Sequence, residues 1–72
     1  MVVVTFKLSE VGRVELTLNG PERWETVLKR CSATSGIDPG SVIAVRRGTV
    51  LGKDDLIKDG DNVDVFPAIS GG

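Results

Sequence analysis

The sequence predicts an α+β chain in which one helix covers one mixed sheet of four to five strands. Three observations carry this reading. Two segments near the start alternate apolar and polar residues with a period of two, separated by a short turn. One stretch of helical period follows, and only one. After it come a nearly continuous apolar run and a last alternating segment, so further strands rather than a second helix complete the layer.

The first strand, "VVVTFKL", sets Val2, Val4, Phe6 and Leu8 on one face, and β-branched residues run through it. "SEVGR" is a turn, and "RVELTL" places Val14, Leu16 and Leu18 on one side, so the two strands form an antiparallel hairpin. "NGP" ends the alternation. Pro21 suits a first helical position, and Glu22 and Glu25 suit the positive end of a helix dipole. The spacing predicts a helix from about Pro21 to Ala33, with Trp24, Val27, Leu28 and Cys31 on one stripe and Gly36 as a left-handed cap. Asp38, Pro39 and Gly40 then make a turn. "SVIAVRR" reads as an interior strand, Gly48 as a tight turn, and "TVL" as a short strand. "GKDDLIKDGD" is expected to be a loop with one short helical turn at Leu56 and Ile57. "NVDVF" is the last strand, stopped by Pro67, which has no N–H for a ladder.

A hairpin, a crossover helix, an interior strand, a short strand and a final strand give the β-grasp order, with the strand after the helix free to lie parallel to the first. A ferredoxin-like fold would need a second full helix, and a small barrel would leave the helix without a role. We assign residues 1–67 to this domain and residues 68–72 to a flexible C-terminal tail.

At 72 residues there is room for one domain with a thin core. A net charge of −1 provides no large field, so neither nucleic acid nor an anionic membrane is expected as a partner. "MVVVTFKL" has no basic leader, no apolar stretch is long enough to cross a membrane, and Cys31 is a single cysteine. These features predict a cytoplasmic protein.

Much chemistry is excluded. There is no histidine and no tyrosine, so no serine–histidine or cysteine–histidine pair exists. A single cysteine makes no metal site, and none is expected. Asp54, Asp55, Asp59 and Asp61 fall in turns, where aspartate serves local hydrogen bonds. The glycines fit neither a dinucleotide fingerprint nor a phosphate loop, and no bound cofactor is expected. Cys31 lies on the apolar stripe, where a free cysteine behaves as a small hydrophobe.

The terminus remains. Pro67-Ala68-Ile69-Ser70-Gly71-Gly72 should leave the final strand carrying no side chain large enough to pack it back. Glycine, lacking Cβ, lets a backbone thread a narrow tunnel and approach a reactive centre, whereas an ordinary frayed end would have no such use. The residues alone leave both readings open.

"DGDNVDVFPAISGG" resembles the closing motif of the small ubiquitin-like sulfur carriers of the ThiS and MoaD types, which are the thiamine sulfur carrier and the small subunit of molybdopterin synthase. The matching elements are Asp59-Gly60-Asp61, the strand Val63 to Phe66, Pro67, Ile69, Ser70 and Gly71-Gly72. "FPAISGG" is nearer the molybdopterin synthase type, with Ala68 in place of its second proline. "VLGKDDLI" lacks the Pro-Arg-Glu-aromatic stretch of the thiamine type, so the pathway stays open. The resemblance implies that a partner adenylating enzyme uses ATP to activate the Gly72 carboxylate and that a persulfide sulfur donor converts it to a thiocarboxylate. Ile69, Ser70 and Gly71 would thread the partner's channel. The sulfur then passes to a cofactor precursor on an acceptor synthase subunit. The chain itself would be a carrier and not an enzyme. Two alternatives remain, a ubiquitin-like modifier joined through Gly72 to target lysines and a plain β-grasp interaction domain.

Parity suggests the partner surface. If Val63 and Val65 face the helix, Asp64 and Phe66 lie on the open face of the sheet, beside Val3, Val42 and Ala44. An exposed apolar patch of that kind marks a docking surface. The alternative is that Phe66 folds over the edge of the core.

Overall fold

The computed structural model describes residues 1–7, 11–36 and 40–68. Leu8, the turn residues Asp38 and Pro39, and the tail residues Ile69, Ser70, Gly71 and Gly72 lie outside the described residues. β1 (Val2–Phe6) pairs antiparallel with β2 (Arg13–Leu16), setting Val4 opposite Val14. The short β3 (Glu22–Arg23) leads into α1 (Trp24–Ser35). β4 (Val42–Arg46), β5 (Thr49–Val50), β6 (Leu56–Ile57) and β7 (Asn62–Pro67) complete the chain. The main sheet runs in the order β2-β1-β7-β4-β5, while β3 and β6 form a separate two-stranded sheet. One helix on a mixed five-stranded sheet is the β-grasp arrangement.

The strand parallel to β1 is the last one. β7 lies beside β1 with Val4 opposite Val63 and is antiparallel to β4 on its other side. The strand after the helix, expected to lie parallel to the first, therefore runs antiparallel to it and one place further out. Its apolar run does not fix its direction, because one side-chain parity faces the core whether the strand lies parallel or antiparallel to β1.

The core forms where the alternating faces meet the helix stripe. Val2, Val4 and Phe6 of β1, Val14 and Leu16 of β2, and Val63 and Val65 of β7 are buried against Trp24, Val27 and Cys31. Leu28 packs at the margin. Cys31 is fully buried, and that burial, only partly offset by the charge of Arg30, raises its thiol pKa to about 11. It stays protonated and unreactive at neutral pH, because the thiolate is the nucleophile.

The helix starts later than Pro21. Glu22 and Arg23 are extended and pair with Ile57 and Leu56, so Glu22 belongs to a strand and only Glu25 lies in the first turn. Arg23 gives no side-chain cap. The first amides find carbonyls in the following loop instead, Trp24 donating to Asp55 at 2.8 Å and Glu25 to Lys53 at 3.1 Å. Leu56 and Ile57, expected as a helical turn, are thus strand residues, and Ile57 is fully buried while Leu56 is exposed. At the other end Gly36 adopts φ 73° and donates to Ser32 at 2.9 Å, closing the helix in the left-handed conformation that favours glycine.

Candidate functional site

Where a β-grasp domain delivers its tail depends on how firmly the last strand is held. Val65 accepts a hydrogen bond from the Lys7 amide at 2.7 Å on the β1 side. On the β4 side Pro67 stands opposite Val42, and Ala68 donates to Ser41 at 3.0 Å. Pro67 has no donor to offer either neighbour, yet the pairing resumes at Ala68. β7 is therefore fixed on both sides to within a few residues of the glycines, and whatever follows Ala68 starts from a rigid point.

Beside this point lies the face turned away from the helix. Asp64 and Phe66 alternate with the buried Val63 and Val65 and so lie on it; Phe66 is 39% exposed. A position on the face opposite the helix excludes the reading of Phe66 as an edge of the core. Val3 alternates with the buried Val2 and Val4 and shares this face, but it stands opposite Asn62, four residues before Phe66 and thus ~13 Å along the strand. Val42 and Ala44 are not on this face. Ala44 stands opposite Val65 and is 2% exposed, and Val42 packs at the margin of the core. Directly opposed residues of an antiparallel pair point the same way, so register with Val65 turns both towards the helix.

The intervening residues take their place. Ile43 stands directly opposite Phe66, and Val45 stands opposite both Asp64 and, in the next strand, Val50. Phe66, Ile43, Val45 and Val50 make a continuous apolar stripe across three strands. Ile43 is 45% and Val50 64% exposed among the described residues. Sequence reasoning missed Ile43 and Val45 because "VIAV" is apolar on both faces, and it missed Val50 because only its register opposite Val45 assigns it a face.

Carboxylates were read as turn residues, and the structure agrees for most. Asp55 accepts from the Gly52 amide at 2.6 Å, and Asp59 pairs with the N-terminal amine. Asp61 is different, since it is buried and accepts from the Arg46 guanidinium at 2.9 Å and the Lys58 amide at 3.1 Å. Burial works against its ionisation, but the Lys58 amide, the Arg46 hydrogen bond and the charges of Arg46 and Lys58 outweigh it, holding the carboxyl below its ordinary range. This is an internal tie between β4 and the start of β7. Among the described residues no group of three or more histidine, cysteine or acidic side chains is placed to hold a metal ion.

A β-grasp body with a braced final strand, an apolar stripe on its open face and glycines beyond belongs to the ubiquitin-like class. Residues 7–72 match the model of the ThiS family, and the chain belongs to that family. It is thus a small carrier protein with a sulfur-carrier role in cofactor biosynthesis, and members of the family generally work with activating enzymes and synthases. No curated protein sequence matches the chain. No helix among the described residues is long and apolar enough to cross a membrane.

Proposed function

We propose that the Gly72 carboxylate is the group on which this carrier works. A carboxylate oxygen attacks the α-phosphorus of ATP on a partner enzyme, pyrophosphate leaves, and an acyl-adenylate results. The terminal sulfur of a persulfide then attacks the acyl carbon and expels AMP. A thiol cleaves the acyl disulfide, leaving a thiocarboxylate on Gly72 and a disulfide on the donor. Without activation the displaced group would be oxide or hydroxide, which leaves poorly, whereas AMP leaves readily. The thiocarboxylate sulfur passes to a precursor of molybdopterin or thiamine. ATP and the catalytic groups belong to the partner, and the work takes place in the cytoplasm.

The family match is the observation that carries this reading, and the braced strand supports it. A tail that begins at a fixed point loses less freedom on entering a partner's channel than one that begins in a loose loop. Ile69, Ser70 and Gly71 thread that channel, and the missing Cβ of Gly71 permits close approach of the backbone. The open-face residues Phe66 and Asp64, together with Ile43, Val45 and Val50, dock the body against the activating enzyme, and Val3 lies at the margin of that contact.

Intact mass decides the chemistry. Incubation with a cognate adenylating enzyme, ATP and a persulfide donor is expected to add the difference between sulfur and oxygen, and deletion of Gly71-Gly72 is expected to abolish it. An amide-linked conjugate to lysines instead would assign the chain as a modifier, and an unchanged mass would leave an interaction domain. The docking surface has its own test. Phe66→Ala is expected to weaken binding to the activating enzyme roughly tenfold or more, as loss of a central aromatic anchor does. It should lower the melting temperature by no more than about 8 °C, because only a cross-strand pair with Ile43 is lost. Collapse of the fold would show that this ring is structural.

A further inference from the structure

The end of the sheet away from Pro67 carries a second feature. Val42 stands opposite Pro67 and Val45 opposite Asp64, so β4 carries Arg46 and the following turn towards the start of β7. There a cleft of ≈ 450 Å³ opens between that turn, β6 and Pro21. This is within the range of roughly 300–1,000 Å³ typical of ligand sites.

Its charge is one-sided in a chain that is nearly neutral. Arg46, Arg47 and Lys58 line it with a single carboxylate, Asp61. Arg46 is committed, donating to Asp61 at 2.9 Å and to the Leu56 carbonyl at 2.7 Å. Arg47 and Lys58 have no ion-pair partner among the described residues. The nearby acids are engaged elsewhere, Asp54 with Arg23, Asp55 with the Gly52 amide and Asp59 with the N-terminal amine.

The backbone adds an independent point. Arg47 and Gly48 have φ of 53° and 78°, the sign pattern of a type I′ two-residue hairpin loop. Asparagine or glycine would occupy the first of these positions at lower cost than arginine. The turn therefore holds a cation in a conformation that does not favour it, which points from strain to use. The remaining walls are Thr49 and two apolar residues, Pro21, which is exposed, and Leu56, which is 57% exposed. A bare oxyanion would gain nothing from those two.

We propose that this cleft docks an extended acidic segment of a partner protein, its carboxylates on Arg47 and Lys58 and an apolar side chain against Leu56 and Pro21. The site lies at the other end of the sheet from Pro67 and includes no residue of the apolar stripe, so it stands or falls independently of the carrier chemistry. It gives the body a second point of attachment while the glycines are engaged elsewhere.

Amide chemical shifts of the full chain should be followed by NMR with three probes: the acetylated peptide Asp-Glu-Leu-Asp-Glu, its neutral twin Asn-Gln-Leu-Asn-Gln, and inorganic phosphate. The acidic peptide is expected to shift the amides of Arg47, Gly48, Thr49, Leu56 and Lys58, with an affinity that falls as salt rises. Arg47→Asn is expected to weaken it roughly tenfold, the loss of one charge-assisted bond, while the melting temperature holds or rises because asparagine suits the turn. Lys58→Gln should weaken it similarly. Equal shifts from both peptides would overturn the proposal, as would phosphate shifts equal to those of the acidic peptide, which would mark a spot of positive potential only. Undiminished binding by Arg47→Asn would also overturn it.

Discussion

Trp24→Ala is expected to remove most of this protein's stability. Truncating a buried tryptophan costs about 3–5 kcal/mol, and a chain of this length has a total of roughly 4–11 kcal/mol to lose. Trp24 is 5% exposed and is the first residue of the helix, where α1 meets the small β3–β6 sheet. Its side chain fills the core, and its own amide is tied to the Asp55 carbonyl, so the cavity opens at the joint between helix and loop. Urea denaturation followed by far-ultraviolet circular dichroism should show a midpoint shifted far towards zero denaturant. A shift equivalent to less than about 1 kcal/mol would mean that the loop carbonyls, rather than packing, hold the helix in place.

Breaking the Arg46–Asp61 tie has the next largest effect. The Asp61 side chain is 5% and that of Arg46 27% exposed, so Arg46→Ala leaves a buried carboxylate with only the amide and the more distant charge of Lys58 to stabilise it. The expected cost is about 2–4 kcal/mol. Arg46→Met combined with Asp61→Asn should recover part of the loss, because no uncompensated charge remains. The pH dependence identifies the charge. The folded pKa of Asp61 lies below its unfolded value, so the unfolded state binds more protons in the interval between them. The stabilisation is fully present above an unfolded pKa of about 3.9 and is lost as pH falls through the lower folded value. Thermal melts of the wild type should therefore decline below about pH 4, and Asp61→Asn should start lower at neutral pH but decline less steeply. An identical acid slope in the two proteins would remove Asp61 as the titrating group.

Alternation was the most legible signal in the sequence. Val2, Val4 and Phe6, then Val14, Leu16 and Leu18, and finally Val63 and Val65 are apolar at every second position, and all are buried. The helix stripe was equally plain, because Trp24, Val27 and Cys31 repeat at helical spacing. What the pattern could not carry was pairing. Glu22, Arg23, Leu56 and Ile57 form a sheet too short for any period to register, so Pro21 looked like a helix start and Leu56-Ile57 like a helical turn. In "VIAV" both faces are apolar, and the choice between Ala44 and Ile43 for the open surface depends on which of them meets Val65. The glycine pair at the terminus was visible because it is a motif of residue identity, not of periodicity.

The place of β7 has a consequence for how the protein is made. Its nearest partners are far from it in sequence, Val3 beside Asn62 and Ala44 opposite Val65. Such a topology is rich in contacts between residues distant in sequence, which slows folding. A nascent or truncated chain lacking residues 62–67 would show two bare strand edges, β1 and β4, where the centre of the sheet should be, inviting association or degradation. The sheet thus becomes continuous only when its last segment is in place.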